Sequence, residues 1–93
     1  MNEIIFNKKS SRFEWDLDGQ TAFLNYRPLD DTTWAYTYVF VPPTYRGQGY
    51  AAKITTFAME YAEEKGIKVK PICPYIKAFT TKNKEKFEKV LLK

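Results

Sequence analysis

A chain of 93 residues with a net charge of +4, 44% of them apolar and 17% aromatic, suffices for one domain with a hydrophobic core and leaves no room for a second. That balance excludes a disordered chain, and no apolar run approaches the roughly 20 residues of a membrane helix. With no histidine and a single cysteine, Cys73, the chain is also excluded from intramolecular disulfides, multi-thiolate zinc sites and Ser-His or Cys-His catalysis.

Met1 to Asn7 holds the apolar triplet Ile4, Ile5 and Phe6, which forms either a short first strand or a flap over the sheet. The leading MNEIIFNKKSS has neither a basic start nor a small-residue cleavage site, so no signal peptide and a cytoplasmic location are expected. From Ser11, Phe13, Trp15 and Leu17 alternate with Glu14, Asp16 and Asp18, the period of a half-buried strand. Asp18-Gly19 is a hairpin turn signal. Gln20 to Arg27 resumes the pattern, with Ala22, Leu24 and Tyr26 opposed to Thr21, Phe23 and Asn25, and Pro28 to Asp31 supplies the next turn. Thr33 to Val41 is rich in aromatic and β-branched residues with few charges, as a central strand covered on both faces is. These three strands form an antiparallel meander.

At Pro42 and Pro43 the strand must end, because proline lacks the backbone donor and pushes its predecessor toward extended backbone. Gly47 and Gly49 permit a tight turn and close backbone approach to a ligand. Behind them Ala51, Ile54, Phe57, Ala58, Tyr61 and Ala62 recur at helical spacing, so Tyr50 to Lys65 forms an amphipathic helix with Gly66 as its C-cap. Free N–H groups and the positive end of the helix dipole then make Val41 to Ala51 a candidate anion cradle. The P-loop pattern lacks its Lys-Ser or Lys-Thr here, and the dinucleotide pattern lacks its third glycine. Ile67 to Ile72 alternates apolar residues with lysine, as a strand with one face in the core and one in solvent does, and Pro71 places it near an edge or at a splay point. A strand, helix and strand in this order form a right-handed crossover with parallel strands. Pro74 opens a helix containing Tyr75, Phe79 and Lys82, and a further helical stretch runs from Asn83 to Leu92.

Arg46, Gly47, Gln48, Gly49, Tyr50 and Ala51 match the pyrophosphate motif Arg/Gln-x-x-Gly-x-Gly/Ala of the GNAT superfamily of acyl-CoA-dependent N-acetyltransferases. The chain resembles its small single-domain members, through Val41-Pro42-Pro43 before that motif and Lys68-Val69-Lys70-Pro71-Ile72-Cys73-Pro74 after the helix. The resemblance covers nearly the whole chain, 1–93, as one domain. It implies an α+β, GNAT-like fold: an antiparallel three-stranded meander, a helix, a parallel fourth strand and a C-terminal helix, without the superfamily's first helices and last strands. It implies an acetyl-CoA (coenzyme A) site in which the backbone of Gly47, Gly49, Tyr50 and Ala51 holds the pyrophosphate beside Arg46 and Gln48. Val39 to Val41 then line the pantetheine arm, where the third and fourth strands splay apart, and Tyr75 and Phe79 lie near the thiol end. By the same resemblance Cys73 sits beside the thioester.

N-acetylation of an amine, a small molecule or a protein lysine or N-terminus, requires removal of a proton. For an amine of pKa about 10.4 the free base at pH 7 costs roughly 4 to 5 kcal/mol. Without histidine, the residues left for this are Cys73, Tyr36, Tyr38 or an unplaced carboxylate. Many superfamily members carry a histidine on the third strand and a tyrosine at the position of Phe79, and this chain has neither. Cys73 stands where a helix dipole lowers a thiol pKa, and fits an acetyl acceptor, a residue shaping the acetyl site, or a small buried hydrophobe. Residues 49–93 hold ten lysines against five glutamates, which suits an anionic ligand, and Lys53, Lys77 and Lys82 are candidates for the 3′-phosphate. No nucleic-acid partner is expected, since those lysines alternate with glutamates. A catalytically weak CoA-binding or interaction module is the alternative to an enzyme, and both monomer and homodimer fit exposed strand edges.

Overall fold

A computed structural model describes residues 3–92. Met1, Asn2 and Lys93 lie outside the described residues, and with them the start of the leader and both ends of the expected domain. Five strands form one sheet in chain order: β1 Ile5–Asn7, β2 Arg12–Leu17, β3 Gln20–Pro28, β4 Thr33–Phe40 and β5 Lys68–Pro71. The first four pair antiparallel, and β5 joins β4 in parallel through the helix α1, Tyr50–Lys65. The meander thus has four strands rather than three, and Ile5 and Phe6 of the apolar triplet belong to a strand, not a flap, with Ile4 just before it. Two shorter helices follow, α2 Pro74–Lys82 and α3 Lys84–Phe87.

Alternation decides which face is buried. Phe13, Trp15 and Leu17 of β2, Ala22, Leu24 and Tyr26 of β3, Tyr36 of β4 and Val69 of β5 enter one hydrophobic cluster. All three helices bury their apolar residues in that cluster, through Ile54, Ala58, Met59 and Ala62 of α1, Ile76 of α2 and Phe87 of α3. An aromatic stack of Phe6, Tyr26, Trp34 and Tyr61 closes its rim, with Tyr26 and Trp34 at 4.1 Å between ring centroids. Such pairs add about 0.5–1.5 kcal/mol beyond the area they bury.

Turn chemistry fixes the registers. Asp18 and Gly19 both take positive φ, at 56° and 87°, as a two-residue I′ hairpin requires, and the Asp16 carboxylate accepts the Gly19 N–H at 2.9 Å. The β3–β4 register shifts at Asn25/Tyr26, where Thr37 is the extra residue of a bulge. Gly66, at φ 72°, ends α1 by donating to the Ala62 and Glu63 carbonyls.

Two expectations are corrected. β4 is covered on both faces only in its first half: Thr33 and Ala35 are buried on the face opposite Tyr36, itself buried, but Tyr38 is 48% exposed. Helix does not persist to Leu92 either. Asn83 ends α2 by capping the Phe79 carbonyl with both its side chain and its backbone N–H, and α3 stops at Phe87. The chain then returns to the outer edge of β5, where Val69 donates to Val90 at 2.8 Å and accepts from Leu92 at 2.9 Å. Backbone groups on that edge need partners, and this bridge supplies them. No helix among the described residues is long and apolar enough to cross a membrane.

Candidate functional site

After β4 the two prolines give way to one 3-10 turn, Pro43–Tyr45, which reverses the chain toward α1. The loop then braces itself. Arg46 Nε donates to the Val41 carbonyl at 2.8 Å with its guanidinium over the Phe40 ring, and Gln48 Nε2 donates to the Thr44 carbonyl at 3.1 Å. Gly47 and Gly49 take φ of 76° and 86°, a left-handed backbone that side chains disfavour. A Cβ built on either meets nothing within 4 Å, so the space above the loop is open. Gly49 is also the N-cap of α1, and no side chain caps that end. The first-turn N–H groups of this 16-residue helix therefore keep their donors, at the positive end of its dipole.

A cavity of about 200 Å³ opens at this point. Val41, Arg46, Gly47, Gly49, Tyr50, Ala51 and Tyr75, all singled out from the sequence, line it together with Tyr45 and Ala52. Tyr50 is held edge-on between Trp15 at 5.2 Å and Tyr45 at 5.4 Å, which turns the start of α1 toward the sheet. Tyr45 was hidden in the sequence by the prolines before it. Ala52 follows from helical geometry, since the third residue of a helix contributes a free N–H.

Four other predicted residues do not line the cavity. Val39 packs against the core on the covered face, and Gln48 is exposed on the loop. Phe79 stacks between Tyr75 at 6.1 Å and Phe87 at 5.9 Å. Cys73 is the N-cap of α2 and only 6% exposed. It marks the point where β5 leaves the sheet. Pairing with β4 ends at Tyr36–Pro71, and the Ile72 and Cys73 N–H groups both donate to the Tyr36 carbonyl, at 3.0 and 3.2 Å. β4 continues from Thr37 to Phe40 with no β5 partner, so the two strands part just beyond Pro71.

Of the tyrosines considered as proton acceptors, Tyr36 is unsuited. Its ring is fully buried, its O–H donates to the Ala58 carbonyl at 2.6 Å, and burial pushes its pKa far above the ordinary phenol value. Burial also raises the Tyr75 hydroxyl, which stays protonated at neutral pH at the cavity's edge. Tyr38 lies on the open face of the sheet.

A family model described as GCN5-related N-acetyl-transferase matches residues 12–90. The chain belongs to the GCN5-related N-acetyltransferase family. The same fold occurs in a GCN5-like protein from Staphylococcus aureus solved by NMR, with a TM-score of 0.72 at 21% identity, over 99% of this chain and 91% of that one. No curated relative matches the chain by sequence. The matched residues include the whole strand–loop–helix unit around the cavity, and the GCN5-related membership gives the chain a general acetyltransferase role.

Proposed function

We propose that the chain binds acetyl-CoA at the N-terminus of α1 and transfers the acetyl group to an amine. The observation that carries this reading is the open, uncapped helix end behind Gly47 and Gly49, facing a cavity with apolar walls at Val41, Ala51, Ala52 and Tyr75. Those residues fit the group. Backbone N–H donors and a helix dipole suit a pyrophosphate. The divergence of β4 and β5 suits an extended arm, and Tyr75 and Cys73 border it. When bound, acetyl-CoA supplies an acetyl group activated as a thioester, which an amine nitrogen attacks with release of the thiol.

The chain's own residues then have distinct tasks. Gly47, Gly49, Tyr50 and Ala51 bind through their backbone. Arg46 fixes the loop to Val41 and adds positive charge to the cavity wall. Cys73 is the proposed catalytic residue, since it is the one thiol of the chain and stands where the strands part. Tyr75 keeps its phenolic proton at the cavity edge, where it would serve as the proton donor to a leaving sulfur.

Calorimetric titration of acetyl-CoA and of CoA into the wild type tests the first half of the proposal. Micromolar binding supports it, and absence of binding ends it. Turnover of acetyl-CoA with a panel of amines, wild type against Cys73→Ala, tests the second. Binding without turnover on any amine leaves a CoA-binding module of the same fold.

A further inference from the structure

The strands present a second surface that this function has not used. Opposite the core, Ile5, Glu14, Phe23 and Phe40 stand in register across β1, β2, β3 and β4, one row perpendicular to the strands. At one end of the row is a concavity of about 560 Å³, lined by Glu3, Ile5, Arg12, Glu14, Asp16 and Thr21. Three of its residues are carboxylates and one is a guanidinium, and Arg12 is already paired with Glu14 at 2.5 Å. A chain of net charge +4 therefore carries a locally negative hollow on its one uncovered sheet face. At the other end, Phe23 and Phe40 stack at 5.3 Å, with Tyr38 beside Phe23 at 6.1 Å and half exposed. This aromatic row already carries cations, Arg12 over Phe23 at 4.5 Å and Arg46 over Phe40 at 5.6 Å.

We propose that this open face docks the amine acceptor, and that the acceptor is a polypeptide segment with a basic side chain three or four residues from the amine that is acetylated. The inference rests on the acetyltransfer reading above. Strands lie about 4.8 Å apart, so the distance from β2 to the divergence of β4 and β5 is about 12 Å, or three to four residues of extended chain. A small amine cannot span it. Charge selects the occupant: carboxylates at the β1–β2 end attract the basic side chain, and at the other end the Tyr38 ring offers a π face to the amine that is acetylated. Lys68 and Lys70 of β5, exposed on the same face, make the opposite edge positive and so set the direction in which the segment lies. A nucleic acid brings phosphates to the same carboxylates.

The test is a titration of ¹⁵N-labelled protein with the peptide acetyl-Gly-Lys-Ala-Ala-Lys-Gly-amide, followed by amide shifts, against the same peptide with its second lysine replaced by glutamate. The expected result is a set of shifts confined to Glu14, Asp16, Phe23, Tyr38 and Phe40. Binding should be about tenfold weaker for the glutamate peptide and for a Glu3→Gln/Asp16→Asn variant. The variant's acetyl-CoA affinity, measured in parallel, serves as its folding control. Equal binding of both peptides, or shifts elsewhere, overturns the proposal. So do concentration-dependent shifts of these amides without peptide, which reveal a second copy on the face. Because the titration needs no acetyl-CoA, docking without cofactor binding separates a failed cofactor reading from a failed docking reading.

Discussion

The two ends of α1 are marked by the same residue in nearly the same conformation, and they do opposite things. Gly49 precedes the helix at φ 86° and Gly66 follows it at φ 72°, and a Cβ on either meets nothing within 4 Å. At Gly66 the chain closes on itself: its N–H returns to the Ala62 and Glu63 carbonyls, and Ile67 donates to Ala62 at 2.8 Å. At Gly49 no side chain answers the first-turn donors. A left-handed glycine therefore says nothing about function by itself. What matters is whether the helix end beside it is satisfied from within the chain, in which case it serves stability, or left for something else to satisfy.

One substitution placed at both ends tests that difference most sharply. Gly49→Glu puts a carboxylate at the cradle, and acetyl-CoA binding should fall at least about 100-fold, roughly 2.7 kcal/mol. Stability should barely change, because left-handed strain of about 1 kcal/mol is offset by a negative charge at the positive helix end, worth about 0.3–1 kcal/mol. Gly66→Glu adds the same strain and sets the charge against the negative end. It should lose about 1.5–2 kcal/mol of stability, a fall in Tm of roughly 6–16 °C, with acetyl-CoA affinity unchanged. Calorimetry and thermal melts on both variants read the outcome. Equal affinity losses at the two ends break the comparison.

Much of this contrast was legible beforehand. Alternation in Phe13–Leu17 and Ala22–Tyr26 named the buried face, and the prolines, glycines and helical spacing bounded α1 at Tyr50–Lys65. Local signals suffice where the decisive interactions are local. They failed where a distant segment decides. Leu91 pairs with Val69 from 22 positions away, and no pattern in Asn83–Leu92 says that an unpaired strand edge waits for it. Thr55 and Met59 are buried beside the predicted stripe because the chain after β5 packs against that flank, where Lys86 of α3 reaches Glu60 of α1 at 3.6 Å. In the site, backbone-bearing residues were readable from Gly47 to Ala51. The fate of the Tyr36 hydroxyl was not, since its acceptor, the Ala58 carbonyl, lies on another element.

Thr55 offers a smaller test from within α1. Its hydroxyl is fully buried and has no hydrogen-bond partner among the described residues, away from both helix ends. If unsatisfied groups without ligand access only cost stability, Thr55→Val keeps the shape, removes the hydroxyl and should gain about 1 kcal/mol. Acetyl-CoA affinity should not change. Weaker binding in a stabilised variant means the hydroxyl has a partner in the bound state, and the division between closed and open groups then fails at this position.

The smallest effect concerns a group satisfied from three sides. Glu14 accepts from Asn7 Nδ2 at 3.0 Å, Arg12 Nε at 2.5 Å and Ser10 Oγ at 3.3 Å, and these bonds, Asn7's first, hold its carboxyl below the ordinary value of 4.5. A carboxylate whose pKa is lowered by folding contributes stability that is fully present above the unfolded value and is lost as pH falls through the folded one. Wild type should therefore exceed Glu14→Gln by less than about 1 kcal/mol at pH 6, since the pair is partly solvated. That margin should shrink once the pH drops below 4.5 and vanish in stronger acid, as thermal melts at pH 6, 4.5 and 3 would show. A margin that persists at pH 3 means that Glu14 acts through shape and neutral hydrogen bonds.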